Sequence, residues 1–295
     1  MALRPVLPAL LLLVVAQAGT SQALQDAPAC PTLFAEGQAP VLVNPKLADR
    51  AVPLCFEAFA VLHSGASRTP LYAAERLTRR SVSAARRVER ADAFHDEDRL
   101  PEDDRASLAD YVRSGYDRGH LAPAGDMPSA PAQAESFSLA NIVPQNRALN
   151  RGLWAAIEES VRRLATERSE LFVVTGPIFE GRSVGAIKGR VLVPTQLFKA
   201  IYDPRTGEAG AYLAPNRTGA EWRAVPLKTV QDLAGLDVFP ALSEAAKAKA
   251  MSLPEPQDFS RDGHGHGQES FADFLKQLAA DALRRLWREL MRAIF

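Results

Sequence analysis

The chain has 295 residues, of which 47% are hydrophobic, 24% charged and 7% aromatic. That profile excludes a disordered, collagen-like or multi-span membrane protein and allows one large or two small domains. Its 35 Lys and Arg balance 35 Asp and Glu, which excludes a wholly basic nucleic-acid coat but not a local basic groove.

Residues 1–23 read as a secretory signal. Arg4 supplies the positive start, 6–16 is an apolar run too short to span a bilayer, and Ser21-Gln22-Ala23 has the small-x-small pattern of a cleavage site. The expected destination is the periplasm or the medium. Export makes a disulfide the default for the two cysteines, Cys30 and Cys55, and closing that loop contributes about 3 to 4 kcal/mol in the chain-entropy model.

Residues 54–63 and 70–77 are strand-like runs separated by the turn-rich SGASRT, which predicts a hairpin. Six arginines then fall within 76–90, and eight acids against two arginines within 92–110. Such blocks predict solvated loops, with a short helix over 106–113 ending at Gly115. Residues 150–166 predict the clearest helix, its apolar stripe formed by Leu153, Ile157, Val161 and Leu164. Three more strands are expected at 170–179, 190–203 and 209–216, each β-rich and bounded by Gly, Pro or Asn. Residues 176–183 nearly spell a phosphate-binding loop, but Arg182 replaces its lysine and Pro177 removes an amide donor. Strands at both ends with helices between them predict an α+β fold on a largely antiparallel central sheet. That domain covers 24–255.

Residues 256–268 have the Pro, Gly and charge content of a flexible linker, within which His264 and His266 lack any ligand framework. From 269 to 295 apolar residues recur at helical spacing, among them Phe271, Leu278, Leu286 and Ile294. This segment predicts an amphipathic helix that docks on the domain or self-associates as a homodimer. Contact with a membrane surface is disfavoured, because acids are mixed among its arginines.

The chemistry lies in YDRGHLAP at 116–123 and NIVPQNRALNRGLWAAIEESVRR at 141–163. Phosphodiester hydrolysis needs a neutral base, positive charge over the transition state and a stabiliser for the leaving alkoxide. His120 suits the base, and the forked donors of Arg118 suit phosphate oxygens. Asn150 offers a neutral amide oxygen to a hard cation such as Mg²⁺. Glu158 lies about 80° around and roughly 12 Å along an ideal helix from Asn150, too far to chelate beside it but able to hold a metal-bound water.

These motifs resemble those of the DNA/RNA non-specific endonucleases of the ββα-metal, or His-metal finger, superfamily. The resemblance rests on DRGH at 117–120, N-I-x-P-Q at 141–145 and L-N-x-G-x-W-x-x-x-E at 149–158. It implies a ββα-metal nuclease motif, with His120 as general base, Asn150 as direct ligand of a hydrated Mg²⁺ (Mn²⁺ is the alternative) and Glu158 on a metal water. It also implies Arg118 at the phosphate side, Arg162 near the cleft, and an upstream arginine for which Arg90 is the candidate, with Arg87 beside it. The expected partners are DNA and RNA, cleaved with little sequence preference to 5′-phosphate ends. A non-catalytic extracytoplasmic nucleic-acid-binding module is the alternative, against which stand the intact His120, Asn150 and Glu158.

Overall fold

The computed structural model describes residues 30–257 apart from 182 and 183. The expected signal peptide, all of the linker beyond residue 257 and the C-terminal amphipathic segment lie outside the described residues, as do Arg182 and Ser183.

The described chain opens with Cys30, which is bonded to Cys55 at the end of strand β1 (Ala51–Cys55). The disulfide is therefore present as expected. Strands β2 (Phe59–Ser64) and β3 (Thr69–Thr78) form the hairpin across SGASRT. The single run expected at 54–63 is in fact two strands. The chain turns at Phe56, whose N–H donates to the Phe59 carbonyl at 2.9 Å, and no Gly or Pro marks that turn. Helix α1 (Arg79–Ala85) follows directly on β3 where a solvated loop was expected. Its arginines concealed a capping box, in which Thr78 and Ser81 exchange side-chain and backbone hydrogen bonds.

The acidic stretch remains largely irregular, and the helix expected over 106–113 shrinks to Leu108–Tyr111. The stretch is not simply solvated, because Glu97 and Asp110 are buried. Next come β4 (Asp117–His120), α2 (Ala130–Ser136) and β5 (Ile142–Gln145), then α3 (Ala155–Arg168). The chain rejoins the main sheet with β6 (Glu170–Ile178), β7 (Gln196–Asp203), β8 (Glu208–Pro215) and β9 (Arg223–Val225), after which α4 (Leu227–Ala234) packs on it. Residues 190–203 are divided because the ladder breaks between Val191–Leu192 and β7, around Pro194.

Seven strands make one sheet in the order β9-β8-β7-β6-β3-β2-β1, and every pairing in it is antiparallel. The expected α+β fold with an antiparallel central sheet is thus observed. Strand alternation sends Val61, Ala73, Val173, Leu197 and Tyr212 into one core beneath α3. Their neighbours Leu62, Ala74, Val174, Phe198 and Leu213 enter a second core with Phe34, Val230 and Phe239. Both faces are apolar because both are covered. Gly176 lies inside β6 and not in a phosphate loop, where a Cβ would sit 2.6 Å from the Phe198 ring. The excursion between β3 and β6, residues 79–169, carries β4, β5 and α3 and so builds the site on one face. Among the described residues, no helix is long and apolar enough to cross a membrane.

Candidate active site

β4 and β5 pair antiparallel, setting His120 opposite Ile142, Arg118 opposite Pro144 and Asp117 opposite Gln145. Alternation puts Arg118 and His120 on one side of this ribbon and Asp117 on the other. Gly119 between them is required by packing. A Cβ there would lie 2.5 Å from the Cβ of Gln145, a fully buried side chain. The chain after His120 is fixed by Asn141, whose Oδ1 accepts from the Ala122 N–H at 2.9 Å while its Nδ2 donates to the Ala122 carbonyl at 2.8 Å.

The His120 ring sits between two phenylalanines, 5.3 Å from Phe94 and 5.0 Å from Phe137, the latter edge-on. Arg118 lies over Phe94 at 4.2 Å and Arg90 over Phe137 at 5.4 Å. Burial, then the charges of Arg90 and Arg118, push the pKa of His120 down to about 3, so the ring is neutral across the physiological range. Its Nε2 is buried with no hydrogen-bond partner among the described residues.

Asn146 caps the start of the helical segment through hydrogen bonds from the N–H groups of Ala148 and Leu149. From Asn150 to Trp154 the backbone winds as a π-helix before α3 begins, so the ideal-helix offset between Asn150 and Glu158 does not apply. The Asn150 Nδ2 donates to Asp117 at 3.2 Å, which ties the helix mouth to β4. Asp117 also accepts from Arg151 at 2.7 and 3.1 Å and from Arg147 at 3.3 Å. Burial raises the Asp117 carboxyl's pKa, but these hydrogen bonds and charges outweigh burial and hold it below the usual value. With its nitrogen engaged, Asn150 keeps its carbonyl oxygen for a ligand.

Glu158 lies further along α3, half-buried, with a pKa that burial pushes up to about 7 against the lowering charges of Lys199 and Arg162. Arg90 is within electrostatic reach of both His120 and Glu158, and its Nε also pairs with Asp92 at 2.6 Å. Arg162 lies on the same helix, within electrostatic reach of Glu158. It is largely buried, with Nη1 on Asp126 and Nε on Glu159, both at 2.8 Å. Burial opposes its charge, but Asp126 and Glu158 more than compensate. The structure therefore gathers His120, Arg118 and Arg90 together, ties Asn150 to β4 through Asp117, and places Glu158 and Arg162 further along α3. Sequence reasoning assigned no role to Asp117, Phe94, Phe137 or Asn141. Asp117 and Asn141 stood inside quoted motifs without a role of their own, and the phenylalanines come from irregular segments with no pattern to mark them.

A strand pair ending in histidine, followed by a helix with asparagine at its mouth, defines the ββα-metal class of nuclease fold. Comparison with known proteins points the same way. A family model for DNA/RNA non-specific endonucleases matches residues 41–245. The mitochondrial nuclease EXOG of Danio rerio is 37% identical over 218 residues, covering 66% of this chain and 63% of that protein. The mitochondrial nuclease 1 of Schizosaccharomyces pombe is 34% identical over 197 residues, covering 59% and 61%. A crystal structure of an EndoG/EndoGI complex aligns with a TM-score of 0.58 at 27% identity, covering 66% of this chain and 88% of the other. The chain spans about three fifths of the length of the two curated relatives. It belongs to the DNA/RNA non-specific endonuclease family, whose members are metal-dependent nucleases. The comparison also corrects one expectation: the relatives are mitochondrial nucleases, which overturns the periplasmic or secreted destination read from residues 1–23.

Proposed function

We propose that this chain is a divalent-metal-dependent endonuclease that hydrolyses phosphodiester bonds of DNA and RNA with little sequence preference. The observation that carries the reading is the neutral His120 ring clamped between Phe94 and Phe137, with two guanidinium groups beside it and the Asn150 amide tied to Asp117 of the same strand.

His120 accepts the proton of the water that attacks phosphorus. Arg90 and Arg118 depress its basicity in the free protein. An arriving phosphate offsets their charge, so the ring becomes a better base when substrate is bound. The same guanidiniums offer forked donors to the non-bridging oxygens as charge builds there. Arg162, with its donors on Asp126 and Glu159, stabilises the charge of Glu158 and is not presented to phosphate. Contacts directed at phosphates carry no base information, which accounts for the low sequence preference.

The donor set fits a hard, largely hydrated cation. Among the described residues no cluster of three or more His, Cys, Asp or Glu could hold a metal, whereas Asn150 presents a neutral carbonyl oxygen held in place by Asp117. Asn150 would hold Mg²⁺ or Mn²⁺ directly and Glu158 would orient a water of its shell, the ion supplying positive charge at the leaving 3′ oxygen. The test is cleavage of plasmid DNA and of a structured RNA by purified protein. Both should be cut in Mg²⁺ or Mn²⁺, neither in EDTA. Binding without cleavage in either metal would replace this reading with the non-catalytic module.

A further inference from the structure

The face of the central sheet beneath α3 carries several buried polar side chains in a mostly apolar layer, among them Glu75 on β3, Thr175 on β6 and Lys199 on β7 near its middle. Glu75 and Lys199 are each 1% exposed. The Lys199 Nζ donates to the Thr175 hydroxyl at 2.7 Å and reaches the Leu121 carbonyl at 3.5 Å, at the residue directly after His120. Both Glu75 carboxyl oxygens are buried with no hydrogen-bond partner among the described residues. Above them α3 contributes Glu158 and Arg162, and the turn Ala124–Asp126 contributes Asp126.

Burying a lysine and a glutamate is costly, and well-packed apolar residues at such positions are often neutral or stabilising. Neither residue enters the hydrolytic chemistry, yet the pair lies under both the His120 strand and Glu158. We propose that Lys199 is a buried positioning residue for the reaction: its ammonium fixes the backbone that follows His120 and opposes the Glu158 carboxyl from beneath, with Glu75 buried on the same face of the sheet. The inference rests on the reading of the site given above.

The sign of the effect follows from the charges that face Glu158. Lys199 from β7, Arg162 on its own helix and Arg90 favour its carboxylate, and Asp126 disfavours it. Burial, Asp126 and Glu158 itself push Glu75 the other way, toward the neutral acid. Removing Lys199 should therefore raise the pH at which Glu158 ionises, and replacing Glu75 by its neutral isostere should not.

The experiment is a ¹³C NMR titration of the Glu158 carboxyl in the metal-free full chain, assigned by Glu158→Gln, with steady-state cleavage measured alongside. In Lys199→Met the midpoint should rise by about one pH unit or more. The kcat should fall about 10- to 100-fold, with KM within about twofold. Lys199→Arg should restore the midpoint, and Glu75→Gln should leave it unmoved. If Lys199→Met does not fold, Lys199→Gln keeps a donor for Thr175 without the charge and carries the same expectation. An unmoved midpoint in a folded neutral variant, or a shifted one in Lys199→Arg, overturns the proposal. The midpoint is read without substrate or metal, so a wild-type chain that cleaves nothing would remove the nuclease reading alone.

Discussion

The two faces of the central sheet are both buried and both mostly apolar, yet they do different work. The face toward α4 holds the disulfide-anchored start of the chain, with Phe34, Leu62, Val174, Phe198 and Leu213 packed against one another. The face toward α3 interrupts the same alternation with Glu75, Thr175 and Lys199, and above these charges lie Glu158 and Arg162. One face therefore secures the sheet by apolar burial and a covalent tie, while the other carries buried charge beneath the residues of the proposed site. In a sheet covered on both sides, a charged residue at an inward position of an apolar strand is worth testing for a role beyond packing.

Substitutions can break this division. The largest effect away from His120 should come from Asp117→Ala. It frees the Asn150 amide, and loss of such a supporting partner typically costs about 10- to 100-fold in metal affinity or activity. A divalent-cation titration of the cleavage rate checks this, and an unchanged half-saturating concentration would count against Asn150 as the ligand. On the opposite face, Cys30→Ser with Cys55→Ser should lower stability by about 3 to 4 kcal/mol in urea unfolding. The cleavage rate per folded molecule should stay the same. A large loss of rate there would mean that the two faces are not separable.

Gly119→Ala should cost about 1 to 3 kcal/mol through overpacking against Gln145. Adding Gln145→Gly, which removes the opposing Cβ, should recover part of the loss, and a double-mutant cycle without coupling would refute the clash. The remaining effect concerns pH. The folded-state pKa of His120 lies near 3, below the ordinary 6.5, so between those values the unfolded chain binds more protons and stability is lost as pH falls. Glu158, raised from 4.5 to about 7, acts oppositely, contributing stability at low pH that is lost as pH rises through 7. Comparing thermal unfolding of wild type and His120→Asn from pH 4 to pH 7 isolates the histidine. The variant should lose less stability on acidification, and parallel curves would contradict the burial of a neutral ring.

Much of this division was legible in the sequence. The α3 stripe of Ile157, Val161 and Leu164 packs as its spacing indicated, and β6 and β8 fall within a residue or two of their apolar runs. The DRGH strand and the Asn150 helix mouth came from motifs whose residue types suit the proposed chemistry. Elements without a period or a glycine were misread: the turn at Phe56 split one expected strand, and the arginines of α1 masked its Thr78 and Ser81 cap. The function of Arg162 could not be read from helix spacing, because its partner Asp126 lies in a turn far along the chain. Lys199 did leave a signal in LFKAI, where a single charge breaks an apolar strand, whereas Glu75 stands beside Arg76 in YAAERL. Only the sheet register shows that Lys199 and Thr175 stand side by side.

The central claim is that His120, held neutral between Phe94 and Phe137, is the general base of a metal-dependent nuclease. The direct measurement is the single-turnover rate of plasmid cleavage by wild type and His120→Ala at saturating Mg²⁺, with DNA affinity determined separately in Ca²⁺. The account predicts a rate lower by about 10² to 10⁴ in the variant, with affinity within a few-fold of wild type. A His120→Ala protein that cleaves at nearly the wild-type rate, or that loses affinity in proportion to rate, would contradict it.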